Sequence, residues 1–161
     1  MASTAERNDT RLDFFGAAPA GVAHLRGLEG YLRQCSLEQP LLHLVKMRAS
    51  QLNGCAYCLD MHSKDLRAAG ETEQRLYLLD AWREVPFYSA RERAAFAWTE
   101  AVTLLTRDHV PDAVYAQARA VFNEKELVDL TLALAAINAW NRLCVAFRTP
   151  AGSYRPAGSG H

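Results

Sequence analysis

The stretch QLNGCAYCLDMH, Gln51 to His62, sets Cys55, Cys58 and His62 at separations of three and four. On an α-helix those separations bring side chains onto one face. If Cys55 opens a helix, the unpaired N–H groups and the dipole of its first turn favour a thiolate there. Three chemistries fit such a stripe: a redox dithiol, part of a metal site, or a cluster that only packs.

As a dithiol, the pair can cycle between two thiols and a disulfide. Cys58 has His62 at i+4, so the imidazole can take its proton or deliver one to a leaving oxygen. Cys55 would then resolve the sulfenic acid by closing the disulfide. The reverse order is also open, because Cys55 lies nearer the dipole end. As a metal site, Cys55, Cys58 and His62 supply three ligands where a structural zinc wants four. Cys35, Cys144, His24, His43 and His109 are the residues that could complete it, and a catalytic ion with an open position is the variant.

His43 lies twelve residues before Cys55. If the chain reverses at Asn53-Gly54, His43 approaches the dithiol; otherwise it reads as a surface histidine. Cys35 and Cys144 sit singly on apolar faces and read as core. Asn138, Trp140, Asn141 and Arg142 interrupt an apolar band, which suits a buried hydrogen-bond network, a pocket wall or a subunit contact.

The elements that must position these groups read as helices. Val22, Leu25, Leu28 and Leu32 recur at three and four. Ser36, with Gln39 three residues on, reads as the capping box of a helix that runs to about Leu52, and Asn53-Gly54 stops it. A further helix runs from Cys55 to before Gly70, and a short one from Glu71 to Ala81. Ser89 with Glu92 caps another, Ala113 to Phe122 is short, and Asn123 with Glu126 caps the longest, Glu124 to about Phe147. Strand alternation is missing. The expectation is an all-α domain of about seven helices over residues 15–150, with an N-terminal arm over 1–14 and a disordered tail over 151–161.

Bulk composition narrows the function classes. The chain has 161 residues, enough for a core without metal or disulfide staples. Lys plus Arg and Asp plus Glu are 18 each, so a basic field for nucleic acid is not expected. The N-terminus, MASTAERNDTR, has no signal-peptide apolar core, which makes the cytoplasm the expected compartment. A Cys-x-x-Cys there is catalytic or metal-binding more often than a staple. The most apolar run, Leu127 to Ile137, is too short to span a bilayer, so no membrane partner is expected.

LVKMRASQLNGCAYCLDMH (Leu44 to His62) resembles the signature of the alkylhydroperoxidase AhpD-like, or carboxymuconolactone decarboxylase-like, family. ERAAFAWTEAVTLL, the run from Val110 to Leu143, and FRTP extend the resemblance over about residues 15 to 150. It implies an AhpD-like all-α fold and homo-oligomers, commonly trimers or hexamers. It also implies peroxiredoxin-type alkylhydroperoxidase activity: a small hydroperoxide as substrate, no cofactor, and an external dithiol reductant such as thioredoxin or a lipoyl protein. The second cysteine of the family attacks the peroxide and the first resolves it, roles that map onto Cys58 and Cys55, and the family histidine maps onto His62. One position departs. The family pattern has a glutamate in a proton relay where this chain has His43. A histidine relays protons but does not supply the same fixed negative charge. The decarboxylase branch is a poorer match. Two other readings stand beside peroxide reduction: a non-enzymatic helical oligomer that senses redox state or binds a ligand, and a metal site on the same motif.

Overall fold

The computed structural model describes residues 10–157. Among these are nine α-helices: α1 (Phe14–Ala17), α2 (Pro19–Leu32), α3 (Gln39–Asn53), α4 (Ala56–Ala68), α5 (Glu73–Tyr77), α6 (Ala90–Thr103), α7 (Leu105–Asp108), α8 (Asp112–Arg119) and α9 (Glu124–Phe147), with a 3-10 turn at Leu79–Ala81. The expected seven correspond to α2, α3, α4, α5, α6, α8 and α9. The two extra helices, α1 and α7, are single turns of four residues each. Repeats at three and four need several turns to register, so periodicity cannot detect them.

α3 is the central element. It packs against α4, α6 and α9, and nine of its fifteen residues are buried. Leu41, Leu42, Leu44, Val45, Met47 and Ala49 are buried on nearly every side of it, the pattern of a helix enclosed by others. Its polar members are buried too, and each is paired. Lys46 Nζ donates to Glu29 at 2.5 Å. Arg48 donates to Glu100 at 2.8 and 3.0 Å and also meets Asp80. Ser50 donates to the Lys46 carbonyl at 2.8 Å.

The start of α3 differs from the sequence reading. Its N-cap is Glu38, without a side-chain cap, so Ser36 and Gln39 form no capping box. Pro40 already removes one N–H from the first turn. The Gln39 amide donates instead to the carbonyls of Leu32 and Arg33, at 3.1 and 3.4 Å, and so ties α3 to the end of α2. The two other expected boxes are present, Ser89 with Glu92 and Asn123 with Glu126.

α9 is long and apolar enough to cross a membrane by length and composition alone. Here it packs against α2, α3, α4, α6 and α8. The described residues towards both ends close onto this body. Phe14 is buried against Phe147, and Arg11 N–H donates to the Phe147 carbonyl at 3.0 Å. Residues 1–9 of the expected arm lie outside the described residues. Of the segment expected as a disordered tail, residues 158–161 lie outside the described residues, and the stretch as far as Tyr154 is held against α4. Gly152 N–H donates to the Asp60 carboxylate at 3.0 Å, and the Tyr154 hydroxyl donates to Asp65 at 2.8 Å. Two exposed-looking acids on α4 are thus the anchors of a strap whose own sequence is too small and polar to signal order.

Candidate functional site

The site grows from the junction of α3 and α4. Gly54 closes α3 at φ 65°, ψ 34°. This is the left-handed conformation that costs glycine nothing and other residues about 1 kcal/mol. The Cys55 N–H reaches back to the Ser50 carbonyl at 3.0 Å and the Gly54 N–H to that of Gln51 at 3.2 Å, the two bonds of a Schellman stop. The chain therefore reverses at once. α4 returns along α3 with Cys55 as its N-cap, the Cys55 sulfur accepting the Cys58 N–H at 3.4 Å.

That reversal brings the predicted residues together. Cys55 and Cys58 are joined as a disulfide, with Cα atoms 5.4 Å apart. Both are almost fully buried. His62 is buried one turn further along α4. His43 faces it from α3, with the two Nδ1 atoms 3.2 Å apart. Both nitrogens cannot donate, so one holds the proton and the other accepts it. Burial, the neighbouring His43 and then Lys46 hold the His62 imidazole well below its ordinary value of 6.5. Burial also lowers His43, with Asp65 acting against it and Lys46 with it. The resting pair is therefore neutral at pH 7 and shares one hydrogen bond. The outer nitrogen of His62, Nε2, is buried with no hydrogen-bond partner among the described residues. An unsatisfied buried imidazole nitrogen is costly and marks a place where a proton can be exchanged.

A cavity of about 500 Å³ opens onto these groups. Cys58, His43 and His62 line it; Cys55 does not. Phe15, Leu42, Tyr57, Met61, Ile137 and Trp140 give it an apolar wall, as is usual where a small organic molecule binds, and Arg26, Glu29, Arg33, Lys46 and Asp65 add charged groups to the lining. Phe15, in α1, reaches the same wall and lies 6.3 Å from the Trp140 ring.

Two donor clusters lie here, each with its atoms within 4.8 Å of one another: the sulfurs of Cys55, Cys58 and Cys144, and His43, His62 and Asp65. The metal set suggested by spacing, Cys55 with Cys58 and His62, is thus split between two neighbouring groups. Cys35 remains a half-buried free cysteine. The sequence reads Cys144 as core, or as one residue that could complete a metal site, and does not single out Asp65 or Tyr154. Nothing in their spacing reports that the end of α9 and the strap close over the start of α4. The polar band of α9 divides between two roles. Trp140 lines the cavity, while Asn138 and Asn141 accept from the Asn53 amide at 3.0 and 2.8 Å and Asn141 donates to Ser50 at 3.0 Å. That network fixes α9 against the last turn of α3, immediately before the cysteines.

Comparison with known proteins agrees with this architecture. Residues 17–101 match the carboxymuconolactone decarboxylase family. The chain is 43% identical over 143 residues to the uncharacterized protein YdfG of Bacillus subtilis (strain 168), covering 89% of this chain and 97% of YdfG. A crystal structure from Agrobacterium tumefaciens, of a protein of unknown function considered for an AhpD-type role in antioxidant defence, superposes with a TM-score of 0.87. It is 40% identical, covering 91% of this chain and 100% of that one. An uncharacterized peroxidase-related protein from Silicibacter sp. TM1040 shares the fold at a TM-score of 0.73 and 20% identity, covering 82% of this chain and 70% of its own. The chain belongs to the AhpD-like, carboxymuconolactone decarboxylase family, and its Cys55–Cys58 pair is consistent with redox chemistry in that fold.

Proposed function

We propose that the protein is a thiol-dependent hydroperoxide reductase in which Cys58 attacks and Cys55 resolves. The observation that carries the assignment of roles is access: Cys58 lines the cavity and Cys55 sits behind it at the helix N-cap. In the reduced enzyme, the Cys58 thiol gives its proton to the histidine pair. The thiolate attacks the distal oxygen of a hydroperoxide held in the cavity. The O–O bond breaks, the alcohol leaves with a proton from the pair, and Cys58 becomes a sulfenic acid. Attack by the Cys55 thiol then forms the disulfide and releases water. An external dithiol, such as thioredoxin or a lipoyl protein, reduces the disulfide and is itself oxidised.

His62 is the proton carrier beside Cys58 and His43 the group that passes the proton on. The apolar wall favours an organic hydroperoxide over hydrogen peroxide. The cytoplasm, where dithiol reductants are present, suits this cycle, and assembly into a trimer or hexamer follows the family.

The test is quenched-flow mass spectrometry of fully reduced protein mixed with a small excess of cumene hydroperoxide or hydrogen peroxide. Disulfide formation at Cys55–Cys58 at least a hundred times faster than oxidation of a free thiol, abolished in Cys58→Ser, is the expected result. Oxidation at the rate of a free thiol would overturn the peroxidase reading and leave a redox-sensing or ligand-binding oligomer.

A further inference from the structure

The proposed cycle uses two sulfurs, yet a third stands beside them. Cys144 lies in the last turn of α9 with its thiol free. Its sulfur and those of Cys55 and Cys58 all lie within 4.8 Å of one another. Staggered rotamers offer each cysteine sulfur alternative positions, so the gap is one that side-chain rotation can span. Cys144 also lines the cavity that Cys58 lines and Cys55 does not. Its surroundings suit an exchanging thiol. The Thr149 side chain hydrogen-bonds the sulfur, and its hydroxyl can donate to a thiolate. Burial opposes this and keeps the resting thiol protonated, which protects it between turnovers.

We propose that Cys144 is a third redox thiol, which attacks Cys58 and moves the disulfide from Cys55–Cys58 to Cys58–Cys144. The Cys144 thiolate forms a bond to the Cys58 sulfur, the Cys55–Cys58 bond breaks, and Cys55 leaves as a thiolate that takes up the proton Cys144 has lost. Two electrons stay in one disulfide throughout, so no oxidant or reductant is consumed. The exchange gives the site an exit. Of the Cys55–Cys58 disulfide only Cys58 lines the cavity, and attack on its sulfur expels Cys55. After exchange both bonded cysteines are ones that line the cavity, so an incoming thiolate has two sulfurs to attack rather than one. This role rests on the redox reading of the site but not on peroxide being its oxidant.

The wild-type protein, oxidised to the Cys55–Cys58 disulfide, decides the matter. It is incubated at pH 8 with N-ethylmaleimide, quenched in acid at intervals, and mapped by mass spectrometry without reduction. Exchange predicts alkylated Cys55 together with a Cys58–Cys144 linked peptide. Alkylation confined to Cys35 and Cys144, with Cys55–Cys58 intact, overturns the proposal. A second measurement uses reduced Cys55→Ser and Cys55→Ser/Cys144→Ala treated with glutathione disulfide. Glutathione on Cys58 should be displaced at least ten times faster when Cys144 is present, with the Cys58–Cys144 disulfide as product. Equal lifetimes in the two variants would refute the exchange. Neither experiment contains peroxide, so a protein that fails as a peroxidase can still pass both, and the reverse.

Discussion

The neutral histidine pair makes acid sensitivity a direct readout of the site. His62 is buried, its Nε2 has no partner among the described residues, and its pKa is held well below 6.5 by burial, His43 and Lys46. In the unfolded chain the same imidazole protonates near the ordinary value of 6.5. A group depressed by folding adds protons first to the unfolded state. Stability is therefore full above about pH 6.5 and falls as pH drops towards the folded pKa. While the folded imidazole stays neutral, each pH unit below 6.5 costs about 1.4 kcal/mol. Between pH 7.5 and 5.5 this one residue removes about 1.4 kcal/mol.

Urea unfolding of the oxidised protein at fixed concentration, at pH 7.5, 6.5 and 5.5, measures it. With a urea slope of about 2 kcal/mol per molar, the midpoint should fall by roughly 0.7 M more in wild type than in His62→Gln, which has nothing to titrate there. His43 remains in both proteins and acts with the same sign. Parallel decline in the two proteins would mean that the folded site accepts a proton on His62 without penalty, and the neutral pair would be wrong.

Two further predictions concern the frame that sets up the site. Gly54→Ala meets nothing within 4 Å but must hold φ at +65°, so it should cost about 1 kcal/mol through the backbone alone, read by urea denaturation. Arg48→Met leaves the half-buried Glu100 without its central partner. Burial already pushes the Glu100 carboxyl up, and hydrogen bonds from Trp82, Arg83 and Arg48 outweigh it. Loss of Arg48 should destabilise by about 3 kcal/mol, and Arg48→Lys should recover only part of this, because the guanidinium contacts Glu100 through two nitrogens.

What was legible in the sequence was what depends on local spacing. The stripe of Cys55, Cys58 and His62, the stop at Gly54 and two capping boxes follow from separations of three and four and from backbone preference, and the structure has them. The meeting of His43 and His62 needed only one further step, an immediate reversal at Asn53-Gly54. Contacts made by distant segments were hidden. Cys144 stands 86 residues after Cys58, and its apolar neighbours are those any core cysteine would have. Tyr154 and Gly152 sit in a stretch with turn composition, and the acids that hold them, Asp60 and Asp65, look like a solvated helix face. The absent Ser36 cap is of another kind: Gln39 found partners at the end of α2, which local pattern cannot weigh.

The histidine at position 43 changes the electrostatics of the site more than its proton count. A glutamate there, as in the pattern the chain resembles, would bring a negative charge to the buried imidazole and favour its protonated form. His43 brings none, and Lys46 acts in the opposite direction on both rings. Glu29 pairs with that lysine at 2.5 Å, which limits the field it exerts on the cavity. The resting pair is thus uncharged, and in the proposed cycle the proton that leaves the Cys58 sulfur goes to a neutral imidazole, so that Cys58 and the pair together keep zero charge. Cys58 and His62 are themselves buried, so that conservation matters, since an uncompensated charge there would be held against a desolvation cost. In the reduced protein that transfer leaves the proton count unchanged, so Cys58 thiolate and protonated histidine should be present in equal fractions wherever the site holds one proton between them. Replacing His43 with glutamate should separate the two, with His62 protonated first and the thiolate forming beside an imidazolium already in place. Thiolate absorbance near 240 nm and histidine proton shifts, followed across pH in the same sample, test this directly; a His43→Glu protein whose two titrations coincide with those of wild type would show that position 43 does not set the charge of the site.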